Sequence, residues 1–178
     1  MTGYLDSARR QFQQYKSLGE KSLERLESDQ LIYTPAPESN SVAVVVKHMW
    51  GNMRSRWTAF LTEDGEKPWR QRDEEFEEGA VSKETVMQWW EEGWACVFDA
   101  LKDLTDEDLD RIITIRGEGH TVMDAINRQL THYAYHVGQV VYLAKMLKGE
   151  AWDSLSIPRG GTAAFNAAKF AETGKPVR

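Results

Sequence analysis

Two histidines separated by three residues give this sequence its clearest chemical signal. His132 and His136 form an H-x-x-x-H pattern inside a long segment that has the periodicity of an α-helix. Residues four positions apart lie about 40° apart around a helix, so both imidazoles face the same side. Neutral imidazole is a good ligand for zinc, nickel, copper and iron. We therefore expect His132 and His136 to bind one divalent metal ion together.

A third histidine, His48, lies on a comparable face of an earlier helical segment. It borders the apolar arc of that helix, and its stripe is formed mostly of small or polar residues: Ser41, Val44, Asn52, Ser55 and Ala59. Such a stripe leaves space beside the imidazole and indicates a cleft between helices. Three histidine ligands would leave coordination positions open, as in a reactive or exchangeable metal site. Histidines at helical spacing also arise by chance as hydrogen-bonding groups between helices, so periodicity alone leaves both interpretations open.

The histidine pattern excludes the common metallopeptidase site. That site needs H-E-x-x-H, in which the Glu after the first histidine is the general base, and Tyr133 stands in its place here. No carboxylate is recognisable near the histidine stripes. The fourth histidine, His120, precedes the last long helix and is expected to cap it, to support a ligand or to lie on the surface.

Four amphipathic segments are predicted to position these side chains. They cover about residues 4–26, 41–61, 82–104 and 121–148, with Ser41 and Ser82 as capping residues and Gly149 as the stop of the last helix. The β-branched stretch at residues 111–115 is the one candidate for an extended piece. With so little strand signal, the sequence predicts an all-α fold, a four-helix bundle.

The connection between the second and third helices is long for such a bundle, at about twenty residues from 62 to 81. A connection of this length is expected to cover a site. Its acidic run at residues 73–78 is expected to be a solvated loop. The bundle is predicted to occupy residues 1–150, and residues 151–178 form a tail that packs on the bundle or extends from it, with a short helix near residues 163–171.

The amino-acid composition argues against nucleic acid and membranes as binding partners. The formal net charge is -6, which argues against nucleic acid, because phosphate binding needs clustered Lys and Arg. The single cysteine, Cys96, allows no internal disulfide and is expected to be a small core residue. No apolar run suggests a signal peptide or a membrane span. We expect a cytoplasmic protein with no membrane partner.

Two stretches carry a family resemblance. Residues 127–145, NRQLTHYAYHVGQVVYLAK, resemble the last bundle helix of the DinB-like superfamily, which includes the YfiT-like metal-dependent hydrolases. Residues 45–49, VVKHM, resemble its ligand segment on the second helix. The resemblance covers residues 4–149 and is greatest to a subgroup without an assigned function. It implies a four-helix bundle with one divalent ion, zinc, nickel or iron, on His48, His132 and His136, and a homodimer.

Several neighbours of the histidines have candidate roles. Arg128 is expected either to hold a substrate carboxylate or to form an interhelical salt bridge. Gln139 and Asn52 are expected to orient the ligands or a water molecule, or simply to make hydrogen bonds between helices. Tyr133 is expected to pack in the core. The tryptophans at positions 89, 90 and 94 favour core packing or a dimer face over a pocket lining.

The resemblance leaves three functions open. Some relatives are enzymes that use low-molecular-weight thiols such as bacillithiol or mycothiol, which implies a metal-dependent thiol S-transferase acting on a small-molecule substrate. Metal-dependent hydrolysis with an activated water as nucleophile is the second class. The third is a non-catalytic, stress-related dimer that binds a metal or a small molecule. The catalytic residues are not evident from the sequence.

Overall fold

The computed structural model describes residues 3–174 and is mostly helical. Its helices are α1 (Tyr4–Leu23), α2 (Ser28–Leu31), α3 (Val42–Trp57), α4 (Lys83–Lys102), α5 (Val122–Lys148) and α6 (Thr162–Thr173). Short 3-10 helices span Asp73–Phe76, Asp106–Asp108 and Gly149–Ala151. Among the described residues, no helix combines the length and apolarity needed to cross a membrane. The four long predicted helices correspond to α1, α3, α4 and α5.

A small antiparallel sheet corrects the expectation of an all-α fold. Strand β1 (Ile112–Ile115) is the predicted extended piece, and it pairs with β2 (Glu118–Thr121). The turn between them, Arg116–Gly117, has φ of 55° and 76°, the left-handed geometry that suits a two-residue hairpin. β2 was missed because a polar segment that contains glycine has no apolar alternation.

An aromatic cluster joins the four long helices. The ring of Phe12 on α1 lies 5.9 Å from that of Trp57 on α3, 6.1 Å from Trp94 on α4 and 6.0 Å from Tyr133 on α5. Tyr133 is fully buried, yet its hydroxyl donates to Asn52 Oδ1 and accepts from Trp57 Nε1, each at 3.0 Å. The cluster therefore packs the core and leaves no unpaired hydroxyl beside the histidines.

Serine caps and a glycine mark helix ends at the positions that the sequence predicts. The hydroxyl oxygens of Ser41 and Ser82 accept the backbone N–H groups of Val44 and Thr85, each at 3.2 Å. These bonds satisfy amides that have no partner inside the helix. α5 ends at Lys148, before Gly149 with its φ of 53°. The helix that carries His48 therefore has a defined start, and the helix that carries His132 and His136 has a defined end.

The long connection between α3 and α4 is anchored on the hairpin. The backbone N–H of Gly65 donates to the Thr114 carbonyl at 2.8 Å. The Asp64 carboxylate accepts the N–H groups of Arg116 and Gly117, each at 2.8 Å. The hairpin therefore fixes the path of the connection before the connection reaches the histidines.

The described chain divides into two compact units. The first ends at Leu147 and the second begins at Lys148, close to the predicted boundary after residue 150. The second unit contains α6, which begins one residue before the short helix predicted there and ends two residues after it. All the residues of the candidate site lie in the first unit.

Candidate metal centre

Helices α3 and α5 bring three histidines together. His48 Nε2 lies 3.4 Å from His132 Nε2, which lies 3.0 Å from His136 Nε2. One ligand atom from each imidazole lies within 4.8 Å of the other two. His48 is buried, and the other two are half-buried. Side chains 84 residues apart in sequence thus converge on one point.

The spacing of the nitrogen atoms matches that of ligands around a single ion. Two imidazole nitrogens bound at about 2.0–2.1 Å from a zinc ion lie about 3.0 Å apart at a right angle and about 3.4 Å apart at the tetrahedral angle. The separations from His132 Nε2 to the other two nitrogens, 3.4 and 3.0 Å, fall at these values. The third pair, on His48 and His136, lies within 4.8 Å, so two of the three nitrogen pairs already have the spacing of ligands around one ion.

The outer nitrogens of two histidines are already engaged. His48 Nδ1–H donates to Glu75 Oε2 at 2.9 Å, and His136 Nδ1 lies 2.8 Å from Gln139 Oε1. Ionised carboxylates and carbonyl oxygens can only accept, so these bonds place the ring protons on the Nδ1 atoms. The Nε2 lone pairs of both rings then face the cluster, which is the orientation that a metal ligand requires.

Glu75 is itself held in place by Arg70. The guanidinium donates from Nε to Oε1 at 2.7 Å and from Nη2 to Oε2 at 2.8 Å. Although burial acts to raise it, the hydrogen bonds from Arg70 and His48 hold the pKa of the Glu75 carboxyl below its ordinary value. Glu75 is buried, so the acidic run is not wholly solvated as predicted, and a carboxylate does lie near the histidines.

Burial keeps His132 and His136 neutral. It lowers the pKa of His132 to about 3, with further lowering from the neighbouring His136 and His48. Burial also lowers the pKa of His136 to about 4, against the opposing effect of the hydrogen bond that His136 donates to Gln139. At neutral pH both rings therefore have a free lone pair, and neither has to lose a proton before binding a cation.

A pocket of about 440 Å³ opens beside His48 and His132. Asn52 and Arg128 both line it. Within residues 3–174 the guanidinium of Arg128 makes no hydrogen bond or ion pair, so the salt bridge considered for it is not formed there. His120 lies in β2 and is not part of the cluster.

Sequence reasoning missed Glu75 and Arg70, which come from the long connection. One signal was present: Gly51 follows His48 by three residues in the middle of α3. A methyl group there would overlap the Glu75 carboxylate. A glycine inside a helix often marks such a close approach, although it does not say what approaches.

Comparison with known proteins gives one family. The chain matches the family model "Protein of unknown function (DUF1572)" over residues 1–161. A search of curated proteins returned no match. The match covers all three clustered histidines, and its description assigns no chemistry to them.

The lowered pKa values predict that the metal-free protein loses stability as the pH falls from about 7 to about 5. An unfolded histidine takes up a proton near its ordinary pKa of 6.5, whereas His132 and His136 in the fold resist protonation down to about 3 and 4. The unfolded state therefore binds more protons in this range, which favours unfolding. Urea unfolding across this range measures the effect, and the double variant His132→Gln/His136→Gln should show a smaller decline. An equal decline in both proteins would contradict this origin.

Proposed function

This chain belongs to DUF1572, a family of proteins of unknown function, and we propose that it binds one divalent metal ion through His48, His132 and His136. The observation that carries the proposal is the convergence of three Nε2 atoms while the opposite nitrogens of His48 and His136 are hydrogen-bonded. Three neutral imidazoles favour zinc, nickel or iron over magnesium or calcium, which prefer oxygen ligands.

The proposal extends to the fold. We infer that α1, α3, α4 and α5 form a four-helix bundle of the DinB type. Its support is the aromatic cluster, to which each of the four helices contributes one ring, and the single long connection between α3 and α4. In such a bundle, side chains from facing helices commonly build a metal site in the interior.

For the reaction we propose thiol S-transfer to a small electrophile. A bound divalent ion would supply Lewis-acid character that lowers the pKa of a coordinated thiol. The thiol proton passes to solvent, sulfur forms a bond to an electrophilic carbon, and the leaving group departs with its electron pair. This chemistry needs no general base from the protein.

The pocket lining argues against hydrolysis that depends on a carboxylate as general base. Among the described residues, no Asp or Glu lines the pocket. Glu75 lies behind His48, is shared with Arg70 and has a lowered pKa, so it is a poor base. Hydrolysis assisted by a protein carboxylate therefore lacks its catalyst here.

Glu75→Gln is expected to weaken zinc binding by about 10–100-fold, because the neutral amide no longer polarises His48 as the carboxylate does. The matched control is Glu74→Gln, which removes the same charge from an exposed neighbour and should leave zinc affinity unchanged. Competition with a chromophoric chelator measures both affinities. Equal affinities in the two variants would show that Glu75 has no part in holding the metal ligands.

Zinc-loaded protein is expected to consume a low-molecular-weight thiol in the presence of 1-chloro-2,4-dinitrobenzene, with one thioether and one chloride formed for each thiol lost. His48→Ala should abolish this turnover, whereas His120→Ala, outside the cluster, should retain it. Thiol titration and absorbance follow the reaction. Hydrolysis of a nitrophenyl ester without thiol, or stoichiometric zinc without any turnover, would contradict the transferase assignment.

A further inference from the structure

The pocket beside the histidines is lined by an unusual concentration of arginine. Five arginines line it, while the chain as a whole has a net charge of -6. These arginines come from α3, the long connection, the hairpin turn and α5: Arg56, Arg70, Arg72, Arg116 and Arg128. Four separate segments thus supply positive charge to one cavity, which is not the pattern of a single solvated helix face.

Two carboxylates behind the wall neutralise only part of this charge. Glu66 Oε2 accepts from Arg56 at 3.0 Å and from Arg116 at 3.1 Å, and Glu75 pairs with Arg70. Glu66 Oε2 also lies 3.6 Å from Arg70 Nη1, so this one carboxylate serves three guanidinium groups. Every arginine in these pairs still has N–H groups to offer, since a guanidinium carries five donors.

The remaining two arginines are available to a ligand. The carboxylate found near Arg72 is that of Asp73, which lies 3.9 Å away and is fully exposed, so this pair is weak. Arg128 has no side-chain partner within residues 3–174. The two groups line one pocket from the connection and from α5, an arrangement that suits a ligand with two acid groups.

Two buried polar atoms in the same wall have no partner among the described residues. They are Oε1 of Gln129, a residue only 3% exposed, and Nε of Arg56, a residue 6% exposed. Leaving a buried polar atom unpaired costs about 1–3 kcal/mol. The Arg56 Nε–H is a donor, so an anionic ligand in the pocket can accept from it, whereas Gln129 Oε1 is an acceptor that needs an N–H or O–H group of a ligand or a water molecule. The unpaired Arg56 donor is a separate indication that this cavity binds an anion.

We propose that this pocket binds a small dianionic molecule, carrying either two carboxylates or a phosphate, through Arg72 and Arg128. Both kinds of acid group match the forked donors of arginine. The volume of about 440 Å³ is that of a small-molecule site. Anion binding follows from the pocket alone. We further infer that the anion is the substrate and that its reactive atom faces the histidines. This second step rests on the proposed metal function.

Calorimetric titration of the metal-free, full-length protein tests the anion site without relying on the metal. Succinate and inorganic phosphate are the dianionic probes, and the neutral diamide succinamide is the matched comparison. We expect a dianion to bind at least about ten-fold more tightly than succinamide, and Arg72→Gln and Arg128→Gln each to weaken it about ten-fold. Arg10→Gln, at an exposed position on α1, removes the same charge elsewhere and should have no effect. Which dianion binds more tightly identifies the acid group.

The outcomes separate the two proposals. If succinate and phosphate bind no better than succinamide, or if Arg128→Gln behaves like Arg10→Gln, the anion site is wrong even when zinc binds stoichiometrically. If the dianion binds and the arginine variants weaken it while zinc does not bind, the metal function fails and the anion site stands. As a second readout, the Arg56 Nε–H resonance should shift on binding in wild type, and an unchanged resonance would contradict the pocket as the place of binding.

Discussion

The carboxylate of Glu75 lies where helix α3, the long connection and the histidine cluster meet. It accepts one buried hydrogen bond from His48 and two partly buried ones from Arg70, all at 2.7–2.9 Å. Removing one partner from a buried charged pair costs about 3–5 kcal/mol, since the other charge is left without compensation. Gly51 on α3 leaves the space that this carboxylate fills. The position of the connection and the orientation of His48 therefore depend on the same few contacts.

This constraint makes one segment serve two purposes. The connection supplies the carboxylate of Glu75 that orients His48, and the residues shortly before Glu75 supply Arg70 and Arg72 to the pocket. Its earlier part is fixed on the hairpin through Asp64, which also places Arg116 at the pocket rim. The proposed metal site and the proposed anion site therefore both depend on this one connection, so a change in it would affect both.

A structural feature could be predicted from the sequence when the residues that form it lie close together along the chain. Helical periodicity and serine caps are local, and they located α3 and α5 and the histidines on them to within a few residues. Gln139 lies within one helical turn of His136, so helical spacing could also predict the hydrogen bond between them. The bond between Glu75 and His48 spans 27 residues and requires the connection to fold back, which no spacing rule describes. Glu75 was therefore indistinguishable from its exposed acidic neighbours.

The central claim is that three imidazoles bind one metal ion, and X-ray absorption spectroscopy of protein reconstituted with one equivalent of zinc tests it most directly. We predict three imidazole nitrogens in the first shell at about 2.0–2.1 Å, completed by an exchangeable oxygen ligand such as water. His132→Ala should retain less than stoichiometric zinc after gel filtration, with at most two imidazoles around it. Zinc that fails to remain bound to the wild type, or a first shell without three imidazoles, would contradict the account.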